Sequence, residues 1–256
     1  MYFDTHAHYD DEKFDPDRDA VLSDMANHDV GLIVNPGCDV ESSRAAIALA
    51  ERYPFVYAAV GIHPENCQGV TEDDFRAVQA LAAHPKVRAI GEIGLDYYWE
   101  KTPEGRAFQR DVLRRQLAMA EELDLPVVIH DRDAHQDCMD AVQAFPGVRG
   151  VFHCCALSAE DAVRMVKNGW MLSFGGSCTF KNARRAPEVI AAVPLDALML
   201  ETDSPYLAPV PYRGKRNDSR NLPLIAARIA EIRGITAEEV AAATERNGRR
   251  FFGIPE

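Results

Sequence analysis

Histidine and acidic residues in this sequence fall at particular places, at the ends of short runs of apolar residues. Five of the eight histidines lie at such ends. Imidazole and carboxylate groups together suit Zn, Mn, Fe or Ni, and carboxylate-rich sites also accept Mg. Scattered surface histidines would not sort in this way, so the pattern predicts a divalent-metal site. The residues singled out by it are His6, His8, His63, Glu92, His130, His153 and Asp203.

His6 and His8 are two residues apart at the end of the first run. Alternate side chains of a strand point to the same face, so the two imidazoles can chelate one cation. The other interpretation is a pair of polar side chains bonded to the backbone. Ligand-type residues at the ends of other runs favour the metal interpretation.

Glu92 lies within an apolar run, between Gly91 and Gly94. A buried carboxylate is costly unless it is paired or bound to a metal. Its two oxygens can bridge two cations. A core ion pair with an arginine is the alternative.

His130 and His153 follow the fifth and sixth runs. Each alone is compatible with a hydrogen-bonded core histidine, but together they supply an imidazole pair for a second metal. Asp203 follows the last run and suits a metal ligand that also accepts a proton from bound water. It could instead cap the next segment. Glu201 and Thr202 are interpreted as structural.

Four further residues are candidate substrate contacts. His63 is predicted to contact substrate at the mouth of the site. Arg132 either binds an anionic group bidentately or pairs with a neighbouring aspartate. Lys215 and Arg216 follow Gly214 in a basic turn of an acidic chain, which favours a phosphate-binding loop over a solvated basic turn.

The elements that would position these residues alternate along the chain. Mostly apolar runs suit strands buried on both faces of a parallel sheet, and eight βα units suggest a closed (β/α)8 barrel, an α/β fold with a single domain over residues 1–256. A doubly wound open sheet is the alternative. The predicted strands are 1–3, 30–34, 55–60, 87–90, 126–129, 148–152, 170–174 and 197–200. The predicted helices are 15–28, opening with Asp15 as cap, and 39–52, 71–83, 103–123, 159–167, 222–233 and 236–250.

Composition restricts the functions that remain. The 256 residues carry a formal net charge of −12. A duplex DNA binder that ignores sequence needs a basic stripe, so any contact with nucleic acid must be local. The six cysteines form no C-x-x-C pair, which favours reduced thiols and a cytoplasmic protein. Neither a signal peptide nor an apolar stretch of membrane-spanning length is visible.

Seven short motifs occur along the chain at the ends of the apolar runs or close to them. The motifs are D-T-H-A-H at 4–8, G-I-H-P at 61–64, G-E-I-G-L-D-Y-Y at 91–98, V-I-H-D-R at 128–132, F-H-C at 152–154, E-T-D-S-P-Y-L at 201–207 and R-G-K-R-N at 213–217. In these motifs the sequence resembles the TatD family of metal-dependent deoxyribonucleases, within the amidohydrolase-like barrels, and the resemblance spans nearly the whole chain. The sequence differs from the family at two places: after F-H-C the family usually has an aromatic residue and then S-G, and after R-G-K-R-N it usually has E-P. Neither difference removes a proposed ligand.

The resemblance implies a two-metal site and hydrolysis of phosphodiesters in DNA, often from the 3′ end. Combined with the residue analysis, it gives a divalent-metal phosphoesterase. His6, His8 and Asp203 hold one metal, His130 and His153 hold the other, and Glu92 bridges them. A metal-bound hydroxide attacks, with Asp203 as general base.

The sequence leaves alternatives for the metals, the substrate and the reaction. The metals are Zn, Mn or Mg. The expected substrate is the end of a DNA single strand, with RNA as a further candidate, and no obligate protein partner or membrane is expected. An amide, lactone or ester hydrolase on the same barrel is the nearest alternative, although the chain lacks the lysine that bridges metals after the fourth strand of related barrels. A metal-retaining but non-catalytic binding subunit is a third interpretation.

Overall fold

The eight predicted strands form one parallel sheet, described here from a computed structural model that covers residues 1–255. Neighbours in the sheet are neighbours in sequence, from β1 to β8. The strands are β1 (Tyr2–Asp4), β2 (Val30–Pro36), β3 (Val56–Val60), β4 (Val87–Asp96), β5 (Val127–Arg132), β6 (Gly150–Phe152), β7 (Met171–Phe174) and β8 (Leu198–Leu200). The barrel predicted from the sequence is therefore confirmed.

Side-chain and backbone hydrogen bonds join the last strand to the first. The backbone N–H and the hydroxyl of Thr5 both donate to the carbonyl of Leu200, at 3.0 and 2.9 Å. The buried carboxylate of Asp4 accepts bonds from the backbone and hydroxyl of Thr202 and from the hydroxyl of Ser219. These bonds hold β1 beside β8, where the sheet has no continuous ladder.

Helices follow the strands and cover the outside of the barrel. Three of them, α4, α6 and α8, have the predicted bounds. Within residues 1–255 the helices are α1 (Arg18–Ser23), α2 (Val40–Arg52), α3 (Glu72–Ala82), α4 (Pro103–Leu123), α5 (His135–Gln143), α6 (Ala159–Lys167), α7 (Arg185–Ala192), α8 (Leu222–Arg233) and α9 (Ala237–Phe252). None of these helices is both long enough and apolar enough to cross a bilayer.

The predicted helix over 15–28 was wrong in its extent. The α-helical part begins at Arg18, with Asp17 as its N-cap, and Asp15 instead accepts a bond from Arg18 at 2.6 Å. It stops after Ser23, and the chain continues as the 3-10 helix Met25–His28, where the Asp24 carboxylate bonds the side chains of Asn27 and His28. Helices α5 and α7 were not predicted.

Two apolar clusters separate the inside of the barrel from its surroundings. Successive side chains of a strand point to opposite faces of the sheet. In β5, Val128 therefore belongs to the smaller cluster, and Val127 and Ile129 belong to the larger one. Phe251 and Phe252, at the end of α9, join the smaller cluster and close the amino-terminal end of the barrel. The carboxyl-terminal end is left open for polar residues.

Candidate metal centre

The first imidazole pair lies just beyond β1. The Nε2 atoms of His6 and His8 are 3.1 Å apart, and they lie 3.1 and 3.4 Å from Oε2 of Glu92 in β4. Oδ1 of Asp203, which follows β8, is 3.8 and 3.7 Å from the same two nitrogens. Four residues from three strand ends thus meet.

The second imidazole pair faces the other oxygen of Glu92. Nδ1 of His130 and Nε2 of His153 each lie 2.8 Å from Oε1 of Glu92 and are 3.3 Å from one another. His130 is in β5, and its close contact with β4 requires Gly94, where a Cβ would lie 1.9 Å from the His130 carbonyl oxygen. His153 follows β6 directly.

Glu92 is therefore shared between two groups of nitrogens. Its side chain is only 4% exposed. Burial alone would raise the pKa of this carboxyl, but the imidazoles of His153, His6 and His63 and the bond from His130 hold the pKa well below its usual range. The glutamate is an anion in a cluster of imidazoles, as a bridging ligand must be.

In His130 and His153, the surroundings of the two ring nitrogens indicate which nitrogen could bind a metal. Nε2 of His130 lies 3.1 Å from Oδ2 of Asp96, which would keep the ring proton on Nε2 when Nδ1 binds a metal. Nδ1 of His153 lies 3.8 Å from Oε2 of Glu201, beyond hydrogen-bond distance, and Nε2 is the ring nitrogen that faces Glu92. Nδ1 of His130 and Nε2 of His153 are therefore the two nitrogens placed to bind a metal beside Glu92.

His63 has the opposite arrangement. Its Nδ1 accepts a bond from the backbone N–H of Glu65 at 3.2 Å, so the proton of the neutral ring is on Nε2. That Nε2 lies 3.5 Å from Oε1 of Glu92. His63 can therefore donate a hydrogen bond within the site while it stays neutral, but it offers no lone pair there.

These donor sets fit divalent cations. Metal–nitrogen bonds of about 2.0–2.1 Å place two nitrogens on one cation roughly 3 Å apart, and both pairs show this separation. Two facing nitrogen lone pairs repel one another unless a proton or a cation lies between them. The mixture of imidazole and carboxylate suits Zn or Mn better than Mg.

The centre lies in an open cavity of about 790 Å³ at the carboxyl ends of the strands. Burial raises the pKa of Asp203, on its wall, to about 6, close to the range useful for accepting a proton at neutral pH. Among the described residues that line the cavity, Arg132 is the only lysine or arginine. The carboxylates on the wall, apart from those of the centre, are Asp10, Asp11, Asp39, Glu65 and Asp131.

The predicted substrate contacts divide into two groups. His63 and Arg132 line the cavity, and the nearest carboxylate to Arg132 is Asp96, at 4.0 Å, not its sequence neighbours. Lys215 and Arg216 do not line it. Arg216 is held by Asp17 through two bonds of 2.7 Å, so its guanidinium serves a contact within the protein.

Sequence reasoning missed two residues of the centre. Asp96, which orients His130, is part of the G-E-I-G-L-D-Y-Y motif and ends β4, so its position was a usable signal. Cys38 brings its sulfur near His8 and Glu92 within one group of ligand-type atoms. No pattern in the sequence distinguishes Cys38 from the other five cysteines, all six of which are free thiols.

Barrels that gather imidazole and carboxylate groups at the carboxyl ends of their strands are characteristic of metal-dependent hydrolases, and this chain is an enzyme of that class. It belongs to the family described as TatD related DNase, which its sequence matches over residues 3–253.

Relatives and a solved structure agree with this assignment over the full length. The chain is 43% identical to the uncharacterized metal-dependent hydrolase YabD of Bacillus subtilis, over 99% of this chain and 100% of that protein. It is 32% identical to the 3′-5′ ssDNA/RNA exonuclease TatD of Citrobacter rodentium, over 98% of each. The crystal structure of YjjV, a TatD homologue from Escherichia coli K12, superimposes with a TM-score of 0.92 at 32% identity, covering 99% of this chain and 98% of that one.

Proposed function

We propose that this chain is a two-metal phosphodiesterase that removes nucleotides from the 3′ end of single-stranded DNA, with RNA as a second substrate. The observation that carries the proposal is the position of Glu92, whose two oxygens face two separate imidazole pairs. Two cations held a few ångströms apart suit an in-line displacement at phosphorus. Relatives named 3′-5′ ssDNA/RNA exonuclease support the choice of substrate.

The geometry supports one assignment of the ligands. His6, His8 and Asp203 would hold one cation, His130 and His153 the other, and Glu92 both. When bound, divalent cations lower the pKa of water and neutralise charge on phosphoryl oxygens. Zn or Mn would be the metal.

The protein's own groups would do the rest. Asp203 would accept the proton of the attacking water, because its carboxylate lies 3.8 and 3.7 Å from the Nε2 atoms of His6 and His8, beside the first proposed cation. Nε2–H of His63 and the guanidinium of Arg132 face the cavity and donate hydrogen bonds to the phosphate. These contacts stabilise charge that grows in the transition state.

A substrate panel tests the proposal. Metal-stripped protein is given Mg, Mn or Zn and then single-stranded DNA labelled at the 5′ or the 3′ end, blunt duplex, RNA, a small phosphodiester, an amide and a lactone. We expect stepwise shortening of the 5′-labelled strand and immediate release of the 3′ label as mononucleotide, with Asp203→Asn inactive. His28→Ala, which changes an exposed histidine paired with Asp24, is the control and should keep full activity.

Two results would contradict the proposal. Turnover of the amide or lactone without cleavage of any phosphodiester would assign the barrel to carbonyl hydrolysis, in which the same activated water attacks a carbonyl carbon. Internal cleavage of a circular single strand would retain the chemistry but exclude an exonuclease.

A further inference from the structure

Two aromatic side chains project from the loop that follows β4. Trp99 is 60% exposed, the highest value among the large hydrophobic side chains of the described chain, and Tyr98 is 44% exposed. Their rings meet edge to face, with centroids 4.9 Å apart and an interplanar angle of 83°. A folded protein gains nothing by holding an indole in water, so the pair invites an explanation from binding.

The loop is fixed relative to the metal centre. The backbone N–H of Trp99 donates to Oδ1 of Asp96 at 2.9 Å, and Oδ2 of the same carboxylate lies 3.1 Å from Nε2 of His130. One carboxylate therefore contacts both the backbone of the aromatic loop and a proposed metal ligand, which holds the loop beside the metal centre.

Cations lie against the aromatic pair. The guanidinium carbon of Arg132 is 3.9 Å from the centroid of the Tyr98 ring and 5.8 Å from that of Trp99, and Nζ of Lys101 is 5.2 Å from the Tyr98 ring. Arg132 also lines the cavity, so it connects the aromatic pair to the metal centre. Positive charge beside exposed rings is the combination that binds single strands.

Other sectors of the barrel mouth are less suited to an anionic strand. Asp10, Asp11, Asp39 and Glu65 line the cavity from the loops after β1, β2 and β3. Tyr206, the exposed tyrosine on the cavity wall, donates its hydroxyl to Asp11 at 2.6 Å and has Nζ of Lys13 4.0 Å from its ring centroid. An anionic strand at Tyr206 would therefore meet the negative charge of Asp11, which its hydroxyl contacts.

We infer that Trp99, backed by Tyr98, is a stacking platform for the base next to the scissile phosphate, and that Arg132, which lies between the platform and the metal centre, binds that phosphate. The inference rests on the proposed function, because it takes a nucleic acid strand as the occupant. It adds that the strand leaves the metal centre across β4 and β5. Stacking accepts any base but requires one, so an abasic strand should bind poorly.

Intrinsic fluorescence offers a direct test. The chain has two tryptophans, Trp99 and Trp170, and Trp170 is only 5% exposed. Metal-loaded protein is titrated with a phosphorothioate oligothymidylate, which resists hydrolysis, and with an abasic strand of the same length and charge. We expect the thymidylate alone to quench the fluorescence and to bind about tenfold more tightly than the abasic strand.

Variants assign the effect to the platform. Trp99→Ala, followed by fluorescence anisotropy of an end-labelled strand, should bind both strands with the same Kd, and Trp99→Phe should restore part of the preference. Tyr57→Ala is the matched control, because the Tyr57 ring also lies beside two cations, Lys86 and Arg88, but at the amino-terminal part of β3. It should keep the wild-type preference.

The outcomes separate this inference from the proposed function. If the small phosphodiester is cleaved but the abasic strand binds as tightly as the thymidylate, the platform is excluded and the proposed chemistry stands. If no phosphodiester is cleaved with any metal, the proposed function fails first. If Trp99→Ala alters the sedimentation of protein alone at raised concentration, the indole belongs to a contact between copies of the chain, and the inference is overturned.

Discussion

Among the groups of the metal centre, Glu92 is the one that lies within 3.5 Å of five imidazoles, four of which belong to proposed metal ligands. His130 and His153 approach one of its oxygens, and His6 and His8 the other. Removing any histidine would leave one of the proposed sites complete. Removing the charge of Glu92 would affect both at once.

Glu92→Gln should therefore lose both metals. The amide keeps the size of the side chain but takes away the negative charge that offsets two cations. We expect the metal content to fall from about two per chain to well under one, and turnover to fall at least 100-fold. Elemental analysis after gel filtration measures the first and the small phosphodiester the second.

Glu65→Gln is the control for this prediction. It is the same substitution on a carboxylate that lines the same cavity and has no bond from its side chain in the described structure. Two metals should remain bound. A Glu92→Gln protein that still bound two metals would show that Glu92 is structural.

Asp96→Asn should weaken one site and spare the other. An asparagine rotated to donate its amide to Nε2 of His130 would move the ring proton to Nδ1, the atom that faces Glu92. Changes of this kind outside the ligand sphere cost about 10–100-fold in metal affinity. Titration of stripped protein with Zn against a chelator should show one site weakened and one unchanged, whereas equal affinities would mean that Asp96 does not set the tautomer.

Residues of the centre differ in how far the sequence predicts them. Ligand-type residues could be recognised because strand ends converge in a barrel, whatever the details of packing. The donor atom of each ring could not, since it depends on contacts such as that between His63 and the backbone of Glu65. Arg216 looked like a phosphate ligand in the sequence because its partner, Asp17, is 199 residues away.

Elements were predicted well where the local signals agree. Helix α4 starts at Pro103 after the cap residue Thr102, and its bounds are those predicted. Helices α5 and α7 were missed because no capping side chain marks where they begin: their N-cap residues are Ala134 and Arg184, and α7 also contains Pro187. Strands β4 and β5 continue past their apolar runs, to Asp96 and Arg132, because polar residues at their ends face the cavity.

The basic loop after β8 forms an ion pair with the start of helix α1. Arg216 bonds Asp17, the N-cap of α1, and its guanidinium lies 4.7 Å from the ring centroid of Phe14. Arg216→Ala should lower the free energy of unfolding by about 1 kcal/mol, since the pair is partly exposed and some apolar contact is also lost. Urea denaturation measures the change.

Lys215→Ala is the matched control in the same loop. Nζ of Lys215 lies 5.6 Å from the ring centroid of Tyr212 and forms no ion pair in the described part of the chain. Its effect on unfolding should stay within about 0.5 kcal/mol. If Arg216→Ala left stability unchanged and weakened DNA binding, the phosphate contact predicted from the sequence would be correct for Arg216.

For the whole molecule, the sequence predicted the barrel and the net charge, but not the bonds that close the barrel or the positions of the acidic side chains. Eight strands implied a barrel, but the bonds that join β1 to β8 involve Asp4, Thr202 and Ser219, which no local pattern relates. The net charge of −12 was known, although not that acidic side chains would line the cavity from the loops after β1 to β3. An anionic strand must approach against this field.

Glu65→Lys should therefore raise kcat/KM on single-stranded DNA at low salt. It changes the local charge by two on the wall of the cavity, where the field acts on a strand as it arrives. We expect a gain of about threefold to tenfold near 0.01 M salt, where the screening length is about 30 Å, and almost none near 1 M, where it is about 3 Å. A small phosphodiester, with one charge, should gain less.

Glu238→Lys is the control for this prediction. Burial and the charge of Glu238 raise the pKa of Tyr2, at the start of β1, so Glu238 lies at the far end of the barrel. Equal gains from both variants would mean that net charge, and not the wall of the cavity, limits the approach of DNA.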